Sequence, residues 1–204
     1  MKALTLLLAA LTVTSAMADI TLVNETLLNG VSSKSTMWIK GDKVRTDNDT
    51  TTTTIIDTAS GDMTTLMHEQ KMIIKMNTKQ LQELAKQAPG APTPEASQTK
   101  VTATGEKEKV EGYDCEIYLS ENMGMTVKMW VAKSYPNGDK LREEMKVMAK
   151  LGTPGAPKPP EVPGIAVKTE FVQQGMKFTT RLVSIKTDSI DESKFAIPTD
   201  YKAP

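Results

Sequence analysis

Residues 51–77, TTTTIIDTASGDMTTLMHEQKMIIKMN, decide the fold. The stretch is rich in Thr, Ile and Met and punctuated by Thr58-Ala59-Ser60-Gly61 and by His68-Glu69-Gln70. Threonine and isoleucine favour a pleated, half-buried surface over a helix, and short runs between turn clusters read as strands. Thr51–Asp57, Asp62–Met67 and Lys71–Met76 are therefore expected as three antiparallel strands. In the second hairpin Met67 should face Met72, Thr65 should face Ile74 and Met63 should face Met76. In the first, Ile56 should face Met63 and Thr54 should face Thr65. Because side chains alternate with period two, one face then carries Ile56, Met63, Met67, Met72, Ile74 and Met76. The other carries Thr64, His68, Lys71 and Lys75, with Leu66 and Ile73 among them. This pattern predicts an antiparallel sheet with one covered face, the methionine-rich one.

The pattern extends in both directions. Asp19–Thr26 reads as a first strand. Ser35–Lys40 and Lys43–Asp47 flank Gly41-Asp42, a two-residue hairpin signal that pairs Trp38 with Arg45 and Ile39 with Val44. That pairing places Trp38 and Arg45 as a cation–π pair with a structural role. Further strands are expected at Lys100–Lys107, Tyr113–Ser120, Met125–Ala132, Ile165–Gln173 and Lys177–Thr187. Two segments change period. Thr78–Ala88 has Leu81, Leu84 and Ala85 at helical spacing with Thr78 as N-cap, and Asp139–Leu151 has Leu141, Met145 and Met148 with Asn137 or Asp139 as the cap. Each helix runs into a Pro-rich spacer, at residues 89–99 and 152–164, of a kind that does not pair as a central strand. The spacers read as long connections, with lids or partner-docking segments as the alternative.

The N-terminus has a different character. Met1-Lys2 is a short positive region, Ala3–Val13 is apolar but too short to span a bilayer, and Ala16-Met17-Ala18 fits a small-x-small cleavage rule. Residues 1–18 are expected to be a signal peptide and 19–204 a single domain. Asp19, not cysteine, follows the cleavage point, so no lipid anchor is expected there. The expected location is periplasmic or secreted, with no transmembrane segment in the mature chain.

Twenty-five basic and twenty-five acidic residues leave no basic excess for nucleic acid or an anionic membrane surface. Cys115 is the single cysteine, which excludes an internal disulfide. Alternation puts Cys115 with Tyr113, Ile117 and Leu119, as a small buried hydrophobe; a reactive thiol or an intermolecular disulfide is the alternative. His68 is the single histidine and falls in a turn, so neither a zinc site nor a Ser-His-Asp or Cys-His arrangement assembles. No phosphate-binding glycine loop is present. The reading is non-enzymatic, without metal or cofactor; the acids are scattered over turns and name no carboxylate pair.

Thirteen methionines accompany three Phe and two Trp. Methionine adapts to irregular apolar partners, so the face bearing Met63, Met67, Met72, Ile74 and Met76, together with Met129, is the candidate binding surface. Three readings compete: ordinary core packing, a loosely packed cavity for an acyl-type ligand, and a thioether Cu(I) site at Met123, Met125 and Met129 or at Met67 and Met72 beside His68.

With these elements placed, the chain resembles a bacterial envelope family known as a domain of unknown function, number forty-four twelve in that series, grouped with the LolA/LolB-like lipoprotein carriers. The motifs are Trp38-Ile39-Lys40-Gly41-Asp42-Lys43-Val44-Arg45, then Val110-Glu111-Gly112-Tyr113-Asp114-Cys115 leading to Met129-Trp130-Val131-Ala132. Pro163-Gly164-Ile165 follows, and Phe195-Ala196-Ile197-Pro198-Thr199-Asp200-Tyr201 closes the chain. The resemblance implies an α+β fold: a strongly curved antiparallel β-meander, a half-barrel, with two helices on its concave face. It also implies an inward arginine at Arg45 and an interior that receives acyl chains, and it supplies no catalytic residue. The expected partner is a lipid or other apolar ligand, or another envelope protein; a structural interaction module without ligand is the alternative.

Overall fold

The computed structural model describes residues 19–80, 83, 99–122, 124–147 and 160–203. The expected signal peptide, most of the first expected helix, Met123, Met148, the first spacer up to residue 98 and residues 152–159 of the second lie outside these residues.

Eleven strands follow in chain order: β1 (Ile20–Leu28), β2 (Val31–Lys40), β3 (Lys43–Asn48), β4 (Thr52–Asp57), β5 (Asp62–Met67), β6 (Met72–Asn77), β7 (Lys100–Val110), β8 (Tyr113–Asn122), β9 (Met125–Ala132), β10 (Ile165–Gln173) and β11 (Met176–Lys186). They form one sheet in the order β6-β5-β4-β3-β2-β1-β11-β10-β9-β8-β7. Successive strands pair within β1–β6 and within β7–β11, the β9–β10 connection being the long one; β11 returns to pair antiparallel with β1, and β6 and β7 are the two edges of the sheet. The result is a curved, open α+β meander, the architecture the carrier resemblance implies. Curvature has a local cause. The ladders slip at Val23/Asn24, at Ala166/Lys168 and at Ala103/Lys107, and such irregularities bend and twist a sheet. Hairpin tips carry the turn chemistry this requires: Asn29-Gly30 has φ of +49° and +84°, and Gln174-Gly175 has +50° and +78°. Paired positive φ values match the twist of the flanking strands.

The registers of β2–β3, β4–β5 and β5–β6 agree with the sequence pattern. Met67 faces Met72, Met63 faces Met76, Ile56 faces Met63 and Trp38 faces Arg45. Helical residues begin at Thr78, but the cap is Asn77, whose side-chain oxygen accepts from the Lys79 and Gln80 amides at 3.1 and 3.2 Å. The Thr78 hydroxyl instead donates to the Gly61 carbonyl. The second helix, α1 (Gly138–Met145), starts from Asn137 in the left-handed region with no side-chain cap bond. Its Leu141, with Val147 just beyond it, enters the main core. That core joins Ile20, Leu22, Ile39 and Val44 of β1–β3 to Cys115, Ile117, Trp130, Ala132, Ile165 and Val167 of β8–β10. The tail returns over the sheet, and a 3-10 turn (Glu192–Phe195) packs beside β3.

Candidate ligand-binding face

Three cross-strand rows define one face of β1–β6. The first is Ile20, Ile39, Val44, Ile56, Met63 and Met76; the second is Leu22, Met37, Thr46, Thr54, Thr65 and Ile74; the third is Asn24, Ser35, Asn48, Thr52, Met67 and Met72. The row nearest the helix begins in the main core, where Ile20 is 0% and Val44 1% exposed. Moving toward β6 the same row opens, and Met76 is 39% exposed. Met63, Met67, Met72 and Ile74 are half-buried.

The covered face of β4–β6 is the opposite one, which corrects the expectation drawn from alternation. Thr53, Leu66, Thr64 and Ile73 are buried there at 0%, 1%, 8% and 9% exposure. The cover is the C-terminal segment, which lies beside β6: Ile73 N–H donates to the Lys202 carbonyl at 2.9 Å, and Lys202 N–H donates to the Lys71 carbonyl at 3.0 Å. Polar side chains fasten it. The Tyr201 hydroxyl lies 2.5 Å from His68 Nδ1, and His68 Nε2 lies 3.0 Å from the Thr53 hydroxyl, which donates to Asp47 Oδ1 at 2.7 Å. Thr53 has one proton and gives it to Asp47, so His68 donates at Nε2 and accepts from Tyr201 at Nδ1. Arg45 grips Asp47 through Nε at 2.7 Å and Nη2 at 3.0 Å, and its Nη1 donates to the Lys194 carbonyl at 2.6 Å. Arg45 and Lys194 stand 5.6 and 5.2 Å from the Trp38 ring centre. Beyond them, the hydrogen bond from Lys71 at 2.7 Å, with its charge, holds the Asp200 carboxyl below its ordinary range. Arg45 therefore faces the tail, not the methionine side, because Val44 beside it already points into the core. The sole sequence signals for this clasp were a lone histidine and an aromatic tail motif.

Met129 is separated from the other methionines. At 2% exposure it sits in a small second cluster with Tyr118 and Val131, covered by Val162. The candidate surface is accordingly Met63, Met67, Met72, Ile74 and Met76, without Met129. The Met63/Met76 pair stands four residue steps from the Met67/Met72 pair, roughly 13 Å along a strand. Among the described residues no group of three His, Cys, Asp or Glu side chains is placed to hold a metal ion. Cys115 is 1% exposed, and burial raises its thiol pKa.

Among the described residues, grooves lie on both faces of the sheet. One, of about 650 Å³, continues the methionine face toward the β1–β2 tip and is lined by Thr26, Leu28, Ser33, Ser35, Asn48 and Phe178 among others. The second, of about 520 Å³, is charged, with Lys128, Glu170 and Lys177 in its wall. Near it, Lys168 stands 3.9 Å over the Trp130 ring, whose indole N–H donates to Glu108 at 2.6 Å. Burial raises the Glu170 pKa, but hydrogen bonds from Lys168 and Lys177 outweigh that and hold it low.

The described strands form an open sheet and not a closed barrel, with Leu66 and Ile73 buried on one face of β4–β6 and the methionines of the other face only partly covered. The chain belongs to the family described as Domain of unknown function (DUF4412), whose profile matches residues 13–201. No curated protein matches the sequence. Solved structures with a similar course include PNGF-II, with 15% identity, TM-score 0.42, and coverage of 88% of this chain and 30% of that one. The Pseudomonas aeruginosa MucA/MucB complex matches at 11% identity and TM-score 0.40, with coverage of 93% and 59%. The Mycobacterium tuberculosis lipoprotein LppX matches at 7% identity and TM-score 0.44, with coverage of 87% and 91%. The chain thus spans under a third of PNGF-II and about 60% of MucB. Likeness of this degree concerns the fold alone. No helix among the described residues is long and apolar enough to cross a membrane.

Proposed function

We propose that this chain is exported to the bacterial envelope, matures at Asp19 as one domain, and binds an apolar or lipid-like ligand without catalysing a reaction. The observation that carries the reading is the continuous row running from fully buried Ile20 and Val44 to half-exposed Met63 and Met76 on one face. Apolar side chains that are ordered by a sheet but only partly covered give a ligand surface to replace water on. Methionine suits the role because its unbranched thioether fits chains of variable shape. Export to the envelope is consistent with residues 1–18 and with the single cysteine, which asks nothing of an oxidising compartment.

Native mass spectrometry of the mature protein, purified from its own envelope without detergent, tests this. The expected result is a discrete added mass of lipid size, lost on solvent extraction and restored by incubation with lipid. A clean unliganded mass that lipid does not change would overturn the reading and leave an interaction module in its place.

A further inference from the structure

We infer that the ligand of this face is an amphiphile with an uncharged, hydroxyl- or amide-bearing headgroup, held in the groove lined by Thr26, Ser33, Ser35 and Asn48. The inference rests on the apolar-ligand reading and adds the headgroup class and its position.

The register carries the argument. Beyond the core rows of β1 and β2 the same face changes chemistry, first to Asn24 opposite Ser35, then to Thr26 opposite Ser33. Thr26 also faces Thr180 of β11, and their hydroxyls lie 3.0 Å apart. One further step returns to apolar residues, Leu28 opposite Val31 and Phe178. Phe178 stacks on Phe171 at 4.7 Å and 3°. A belt of hydroxyls and amides is therefore set between an apolar interior and an apolar rim. The groove over it holds about 650 Å³, which suits a small headgroup. From Asn48 the third row runs directly to Met67 and Met72, so a chain attached to a headgroup in the belt reaches the methionines without leaving the face.

Charge selects among headgroups. Among the described residues, none of those lining the groove is charged. The cations of these strands, Lys34, Lys177 and Arg181, alternate onto the other face, between the belt residues. At the rim stands an anion: Asp49 accepts from the Ser33 hydroxyl at 2.6 Å and from the Lys34 N–H at 2.8 Å. A phosphate or carboxylate head would find no counter-charge here and would meet Asp49, whereas a glycerol, sugar or amide head finds matching donors and acceptors.

The test uses delipidated mature protein and two probes with the same chain, 1-monooleoylglycerol and 1-oleoyl-lysophosphatidylglycerol, titrated by native mass spectrometry at fixed ionic strength. The neutral probe should bind about tenfold more tightly. Asn48→Lys, at an exposed position, should erase or reverse that preference while leaving the melting temperature unchanged; Ser35→Lys serves as a second variant. Equal binding of both probes, or tighter binding of the anionic one, overturns the headgroup assignment and leaves the apolar-ligand reading standing. A preference that neither lysine variant alters places the head elsewhere and overturns the assignment too. Binding of neither probe overturns both.

Discussion

The two faces of β4–β6 arise from one alternating pattern and end in opposite states. On one, Leu66 and Ile73 lie under a tail fastened at Tyr201, Asp200 and Lys202; on the other, Met63, Met67, Met72 and Ile74 remain half-buried. Counted by residue type, the methionine face is the more apolar, yet it is the less covered. The difference teaches that burial follows whichever segment can satisfy its own backbone while covering a face. The tail does so by pairing at β6 and by offering polar partners to Arg45, His68 and Lys71 of the sheet.

The comparison breaks most completely if the tail is removed. Ending the chain at Lys186 should expose Leu66, Ile73 and the Thr53–His68 pair together, with loss of the cooperative thermal transition and binding of an apolar dye. Retention of a sharp transition would show that the two faces do not differ in the way described. Single side chains sharpen the contrast. Leu66→Ala, 1% exposed, should cost about 2–5 kcal/mol in denaturant unfolding, and Met67→Ala, adjacent but on the half-buried face, less than half of that. Equal costs would mean that Met67 is as much core as Leu66. A smaller effect belongs to the clasp, where Tyr201→Phe removes one hydrogen bond and should cost about 1 kcal/mol, seen as faster amide exchange at Ile73 and Lys202.

Acidity gives the gentlest test. Asp200 and Glu192 have pKa values below their ordinary 3.8 and 4.5, each mainly through a hydrogen bond from a lysine, Lys71 and Lys43. A carboxyl lowered on folding supports the fold above its ordinary value, and that support is lost as pH falls through the lowered one. Exchange protection in the tail should hold from neutrality down to the ordinary carboxylate range and fall below it, while protection at Leu66 persists. Protection that is unchanged below that range would show that these carboxylates do not hold the tail.

Strand positions and hairpin registers were legible because turn chemistry and period-two alternation are local. Asp62–Met67, Met125–Ala132 and Ile165–Gln173 match the expected bounds. The cap at Asn77 was missed by one residue, since Asn77 and Thr78 are both capable caps and only the strand end decides between them. The β1–β11 joint was not legible, because its partners lie more than a hundred residues apart and nothing in either strand names the other. The Tyr201–His68–Thr53–Asp47 chain was missed for the same reason, and Met129 was grouped with the wrong methionines because residue type does not record which cluster a strand enters.

By itself, the sequence determined most strand positions, the hairpin registers of β2–β3, β4–β5 and β5–β6, the equal balance of charge and the presence of two chemically distinct faces, all of which depend on neighbours along the chain. Only the tertiary structure decided which face is sealed, where Arg45 points and where the hydroxyl belt meets the methionine rows. Those depend on the return of the tail and on the closure of β11 against β1, contacts whose energy is realised only once distant segments are brought together.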